Sequence, residues 1–161
     1  QTKDMGVSFE NTILIYALFN LLAAAISYPA GHLSDKYGRK NILLISFLIF
    51  LITYSGFAFT KNLWLIGSLF ALYGLYQGIF RSVGKAMAAD FVPQHLRASG
   101  IGWYATTVGL AGLIASVVAG QLWDRVSHPS VFIYGAVFSM IGIIALIILI
   151  PGKQKTITIT S

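Results

Sequence analysis

Five long apolar stretches separated by short polar gaps run along this chain, at about residues 11–33, 42–59, 63–83, 98–122 and 131–150. Each approaches the roughly 20 residues that a helix needs to cross the hydrocarbon of a bilayer. Helix is the state expected of all five, because an open strand would leave its backbone N–H and C=O groups unpaired in lipid. The β-branched run near the end, Ile141 to Ile150, is therefore no argument for a strand. The breaks are marked by proline: Pro93 just after Asp90, Pro129 at the start of the last stretch, and Pro151 with Gly152 at its end. Pro29 falls in the last turns of the first stretch, where a membrane helix tolerates a kink. The third stretch is expected to continue as helix towards Asp90. This pattern predicts an all-α membrane protein of five transmembrane helices, with no soluble domain anywhere in residues 1–161.

Composition narrows the class further. Of 161 residues, 57% are apolar and 10% charged, and none is cysteine; the mean hydropathy is +0.77. Soluble domains carry about a quarter charged residues. A cytosolic enzyme, a disordered chain and a disulfide-stapled module are all excluded. The net charge of +6 comes from 11 Lys and Arg against 5 Asp and Glu. These bases are too dispersed to form a nucleic-acid stripe, so no nucleic-acid partner is expected. They follow the gaps instead. Lys36, Arg39, Lys40, Lys85, Arg97, Lys153 and Lys155 fall on one side of the alternating spans, and Lys3, Lys61 and Arg125 on the other. The positive-inside rule then puts the Asp35 gap in the cytoplasm, the amino end outside and the carboxyl end inside, in the plasma (inner) membrane. An odd number of spans that starts outside implies a missing helix upstream. The chain also opens at Gln1 with a polar decapeptide that lacks signal-peptide character. A piece of a longer polypeptide is expected.

Two segments repeat. Gly31-His-Leu33-Ser-Asp35-Lys36 and Gly120-Gln-Leu122-Trp-Asp124-Arg125 both read G-x-L-x-D-[KR] at the end of a span, and the next apolar run starts seven residues after each aspartate. On the charge-derived topology one copy ends in the cytoplasm and the other outside. That is the arrangement of an inverted-topology repeat; coincidence of a short pattern is the alternative.

The first copy extends to Gly31-x-Leu33-x-Asp35-x-x-Gly38-Arg39-Lys40. It resembles the loop signature of the major facilitator superfamily. The segment Ala88-Ala89-Asp90 to Pro93, with Leu96, Arg97 and Gly100, is similar to that family's link between helices ten and eleven. The run from Ala115 to Asp124 is similar to the end of helix eleven. The resemblance covers nearly the whole chain and implies that the five spans are helices eight to twelve, forming an incomplete six-helix half-bundle with inverted repeats. Helix seven and the N-terminal half of the same polypeptide would be partners still missing.

The loop carries its own chemistry. Gly31 is expected to let two backbones approach, and Gly38 to permit a tight turn. Asp35 needs a cationic or N–H partner, from Arg39, Lys40 or the positive end of the helix starting near Leu96. Such a pair, formed in one conformation and parted in another, would bias alternation between inward- and outward-facing states; a plain charged anchor is the simpler reading. Asp90 and Arg97 belong to the second cytoplasmic link.

Polar side chains within the spans are candidates for a substrate path, since burying them in lipid is costly. Tyr73, Gln77 and Arg81 share one helical face at i, i+4, i+8. Arg81 is near the cytoplasmic end, where snorkelling to headgroups competes with a substrate role. Asn20 in the first span, with Tyr104 and Thr107 in the fourth, completes the set; Ser and Thr more often bond back to their own helix. The glycines Gly74, Gly78, Gly100, Gly102, Gly109, Gly112 and Gly120 are read as close-packing positions. Spans two and five, bulky and apolar, are expected to face lipid.

A secondary transporter for a small solute, working by alternating access, is the function these features favour. A non-transporting sensor or assembly protein of the same fold is the alternative. A membrane-embedded enzyme is disfavoured: there is no cysteine, no H-E-x-x-H and no pair of intramembrane acids. No cofactor is expected. All five acids sit at or beyond span ends, so a site for proton or sodium coupling would lie in the missing half.

Overall fold

A computed structural model describes residues 9–60 and 62–150. Lys3, Lys61, Lys153 and Lys155, which entered the charge count, lie outside the described residues. The described chain forms α1 (Phe9–Tyr37), α2 (Arg39–Phe59), α3 (Leu63–Asp90), a single 3-10 turn at Gln94–Leu96, α4 (Arg97–Arg125) and α5 (His128–Leu149), with no strand. The fold is all-α. Among the described residues, three stretches are both long and apolar enough to cross a membrane: Arg39–Phe59, Gln94–Arg125 and Pro129–Leu149. At 1.5 Å per residue the 29 residues of α1 and the 28 of α3 span about 44 and 42 Å, more than the ~30 Å of hydrocarbon.

Helix ends are set by local chemistry. α1 runs past the expected Leu33 to Tyr37 and remains helical through Pro29. Gly38, at φ 89°, then turns the chain, and α2 starts at the next residue; an L side chain at that φ would strain the backbone. Asn62 caps α3 by accepting the Trp64 backbone N–H at 3.0 Å. α3 does continue to Asp90, with Pro93 beyond it. Pro129 sits in the first turn of α5, where its missing N–H costs nothing.

α3 is the centre of the bundle, packed between α1 and α2, with α5 outside α2 and α4 leaning on α3 and α5. The α1–α3 approach depends on glycine. A Cβ at Gly74 would stand 3.1 Å from the Phe19 carbonyl, and one at Gly78 would collide with the Ala23 carbonyl and the Ile26 methyl. The core gathers Ala30, Ile42, Leu43, Ile79, Val83 and Met87 towards the Gly38 end. Above it lies an aromatic layer: Phe50 meets Tyr54 and Tyr76 at 4.0 and 4.6 Å, Phe19 stacks on Tyr73 at 5.4 Å, and Phe57 meets Phe70 and Phe132 at 5.2 and 5.4 Å.

Two packing expectations change. α2 is not simply an outer helix. Ile42, Leu43, Ser46, Thr53 and Phe57 are buried, and Ser139 of α5 donates to the Phe47 carbonyl at 2.9 Å; Ile45, Leu48, Ile52 and the terminal Phe59 are its large apolar residues that look outward. α4 has the opposite character. It has no buried residue, and Gly102, Gly109, Gly112 and Gly120 have nothing within 4 Å of a built Cβ. Gly31 is likewise open, so close approach is not its use among the described residues.

Candidate functional site

The Gly38 turn gathers three helix ends. Arg39, the first residue of α2, directs Nε to Asp90 Oδ2 at the end of α3. Its Nη1 lies 3.0 Å from Asp35 Oδ1 at the end of α1 and also donates to Ser34 Oγ at 3.0 Å. Ser34 is buried and passes its own hydrogen to the Gly31 carbonyl at 2.7 Å. One guanidinium therefore fastens α1 and α3 to the start of α2, using the fixed fork of N–H donors that distinguishes arginine from lysine. Lys40 takes a different partner from the expected carboxylate. Its Nζ donates to the Ile147 carbonyl at 3.0 Å and to the Ile150 carbonyl. These are unpaired acceptors at the negative end of α5. The loop is a clamp on four helices.

Exposure separates the members of this cluster. Arg39 and Asp90 have side chains 24% and 32% exposed, whereas Asp35 is 64% exposed. Asp35 keeps most of its carboxylate open to a further partner. Arg97 opens α4 on the same end of the bundle but stands exposed, and it forms no ion pair among the described residues. The second repeat copy is built differently. Asp124 and Arg125 lie exposed in the last turn of α4, which closes at Val126 without a positive-φ glycine, and they make no ion pair among the described residues.

The candidate path residues divide in the same way. Gln77 Nε2 donates to the Tyr73 hydroxyl at 3.2 Å, confirming that these two share a face of α3. Tyr104 of α4 brings its hydroxyl against Gly84 of α3, where it is buried without a hydrogen-bond partner. Thr107 lines a groove of about 540 Å³ with Tyr104, Trp103 and Gly100. Arg81 is exposed on α3, between the two interfaces. Asn20 does not join them: its amide donates to the Tyr16 carbonyl of its own helix at 2.8 Å. Ser27 does the same towards Ala23 at 2.7 Å, the back-bonding expected of short polar side chains.

Two features escaped the sequence reading. Ser34 occupies a variable position of the loop motif, so nothing marked it as the support under Arg39. Tyr54 and Tyr76 line a cavity of about 590 Å³ between α2, α3, α4 and α5, with Phe47, Phe50, Ser116 and Ser139. Its signal was present in the i, i+3, i+7, i+10 aromatic spacing of Phe47, Phe50, Tyr54 and Phe57.

Comparison with known proteins agrees with this architecture. The family described as the Major Facilitator Superfamily matches residues 2–159. The chain belongs to that superfamily, and is thus part of a multi-pass membrane protein. It is 39% identical over 130 residues to an uncharacterized MFS-type transporter, MJ1317, of Methanocaldococcus jannaschii, covering 81% of this chain and 32% of that one. It is 32% identical over 96 residues to the uncharacterized MFS-type transporter YqjV of Bacillus subtilis, covering 60% and 23%. It is 27% identical over 156 residues to the quinolone resistance protein NorA of Staphylococcus aureus, covering 97% and 40%. The chain thus spans from 23% to 40% of the length of these relatives.

Proposed function

We propose that this chain works as the C-terminal portion, helices eight to twelve, of a secondary transporter that moves a small solute by alternating access rather than by catalysis. In this reading all five helices span the plasma membrane, with the amino end outside and the Gly38 end in the cytoplasm. An N-terminal half of the same polypeptide completes the pathway. Any proton or sodium coupling site lies in that half, since the described acids sit at helix ends. Two relatives named as MFS-type transporters and a third named as a quinolone resistance protein support transport as the activity without naming the solute.

The observation that carries the reading is the Arg39 clamp. Asp35, Arg39 and Asp90 join the ends of α1, α2 and α3 through partly hydrated ion pairs. Such pairs contribute only about 0–1 kcal/mol each, so they are weak enough to form in one state and separate in another. A permanent structural staple would be buried more deeply. The test is counterflow in proteoliposomes containing the complete transporter. Asp35→Asn should slow exchange several-fold while membrane insertion and melting temperature stay as in the wild type. Exchange at the wild-type rate would remove the clamp from the transport cycle.

A further inference from the structure

Between α1 and α4 the surface of α3 presents a row of hydrogen-bond donors. Tyr73, Gln77, Arg81 and Lys85 follow one another at four-residue intervals, on adjoining turns of one face. The structure fixes where that face points. Three residues before Arg81, Gly78 is pressed against Ala23 and Ile26 of α1; three residues after it, Gly84 is pressed against Tyr104 of α4. Arg81 therefore lies in the cleft whose walls are α1 and α4 and whose floor is α3. Tyr104 adds a buried hydroxyl with no partner on the α4 side.

The charges in this cleft have one sign. Arg81 and Lys85 are exposed and form no ion pair or hydrogen bond among the described residues. The described acids are all at helix ends: Glu10, Asp35, Asp90 and Asp124. Asp90 is already held by Arg39. A cation at membrane depth with no counter-charge is costly unless it meets water or an anion.

Snorkelling explains Lys85 but not the rest of the row. If Arg81 served only to reach headgroups, the turns deeper in the membrane would be apolar. Instead polar groups continue inward: the Gln77 amide gives one N–H to the Tyr73 hydroxyl at 3.2 Å and has a second to offer a ligand. Gln77 stands 13 residues from Asp90, about 20 Å along the helix, and Tyr73 about 26 Å. In a hydrocarbon layer of ~30 Å those positions are beyond a headgroup's reach. A guanidinium flanked by an amide and a hydroxyl is a donor set suited to a planar or tetrahedral oxyanion.

We propose that the cleft formed by Gln77, Arg81, Lys85 and Tyr104 binds an oxyanion, a carboxylate or a phosphate. As solute chemistry this rests on the transporter reading above; as a binding site it does not. Lys85 attracts the anion at the cleft mouth, Arg81 holds it through two parallel N–H donors, and Gln77 and Tyr104 take its remaining acceptors.

The test measures equilibrium binding to the complete protein in lipid nanodiscs, with phenylphosphate and benzoate as anionic probes and benzylammonium as the cation of similar shape. Both anions should raise the melting temperature and benzylammonium should not. Arg81→Gln should weaken anion binding about tenfold to hundredfold. Arg81→Lys should retain part of it, and serves as the readout if the glutamine variant does not fold. Repeating the titration with phosphatidylglycerol in place of phosphatidylcholine separates the sources. Competition through Arg81 identifies a lipid phosphate; its absence identifies a free solute; either result supports an oxyanion cleft. Benzylammonium binding as well as benzoate, or anion binding unchanged in both Arg81 variants, overturns it. Anion binding without counterflow would remove the transporter reading and leave the cleft. Cation counterflow indifferent to Arg81 would do the reverse.

Discussion

α3 and α4 are both long, both rich in glycine, and both carry an aspartate in their last turn, yet the molecule uses them in opposite ways. α3 has neighbours on three sides. Its Gly74 and Gly78 are the points at which α1 comes closest, its buried Ile79, Val83 and Met87 form half of the core, and its terminal Asp90 is fastened to Arg39. α4 buries nothing. Four of its glycines face open space, and its Asp124 is exposed. Glycine in a membrane helix is thus an invitation to close contact that another helix must accept: α3 accepts Gly100 of α4, and no described helix accepts the other four. This contrast fits the function proposed above, in which α4 would present its small-residue face to an N-terminal half of the same polypeptide.

The sharpest way to test the contrast is to fill the glycines. Gly78→Leu should destabilise the bundle by at least about 1–3 kcal/mol, because the new side chain meets the backbone of α1 rather than a yielding side-chain tip. Gly109→Leu on α4 should leave the melting temperature within the scatter of a neutral substitution, about 0.5 kcal/mol, and should impair only transport by the complete protein. Equal destabilisation by the two would mean that α4 is packed in this chain after all.

The two helix ends give a smaller effect. Asp90→Asn should change stability by less than about 1 kcal/mol, since both partners of its ion pair are partly hydrated, while slowing counterflow several-fold. Asp124→Asn should alter neither. A slow Asp124→Asn would show that the second repeat copy is wired to something beyond the described residues. The least perturbing change is Tyr104→Phe. It removes a buried hydroxyl that has no partner, so thermal stability should hold or rise slightly. Phenylphosphate affinity should nevertheless fall if that hydroxyl serves the cleft.

Much of this architecture was legible in the sequence, for reasons that also mark where legibility ended. Apolar runs bounded by proline located five helices, because bilayer thickness and backbone hydrogen bonding leave few alternatives. Their ends were placed short. α1 runs on to Tyr37 and α4 starts at Arg97, since polar residues at the membrane edge do not stop a helix. Gly38 was readable as a turn because a one-residue reversal requires positive φ. Gly31 was not, because an open glycine and a packed one look the same in a sequence. Asp35 found Arg39, one of three partners open to it, while Lys40 was drawn to the α5 carbonyls. That contact joins residues more than 100 positions apart, and no local pattern encodes it. Asn20 and Arg81 looked equally promising as intramembrane polar groups. Only the structure separates them, since Asn20 is satisfied by its own helix.

The Gly38 junction has a mechanical consequence. With a single residue between Tyr37 and Arg39, α1 and α2 share a hinge pin with no slack. Neither helix slides along the membrane normal without pulling the other. A rotation of α1 would act directly on Arg39, and by way of Lys40 on the carboxyl end of α5. An inserted residue at this joint would be expected to uncouple those motions while leaving every helix intact.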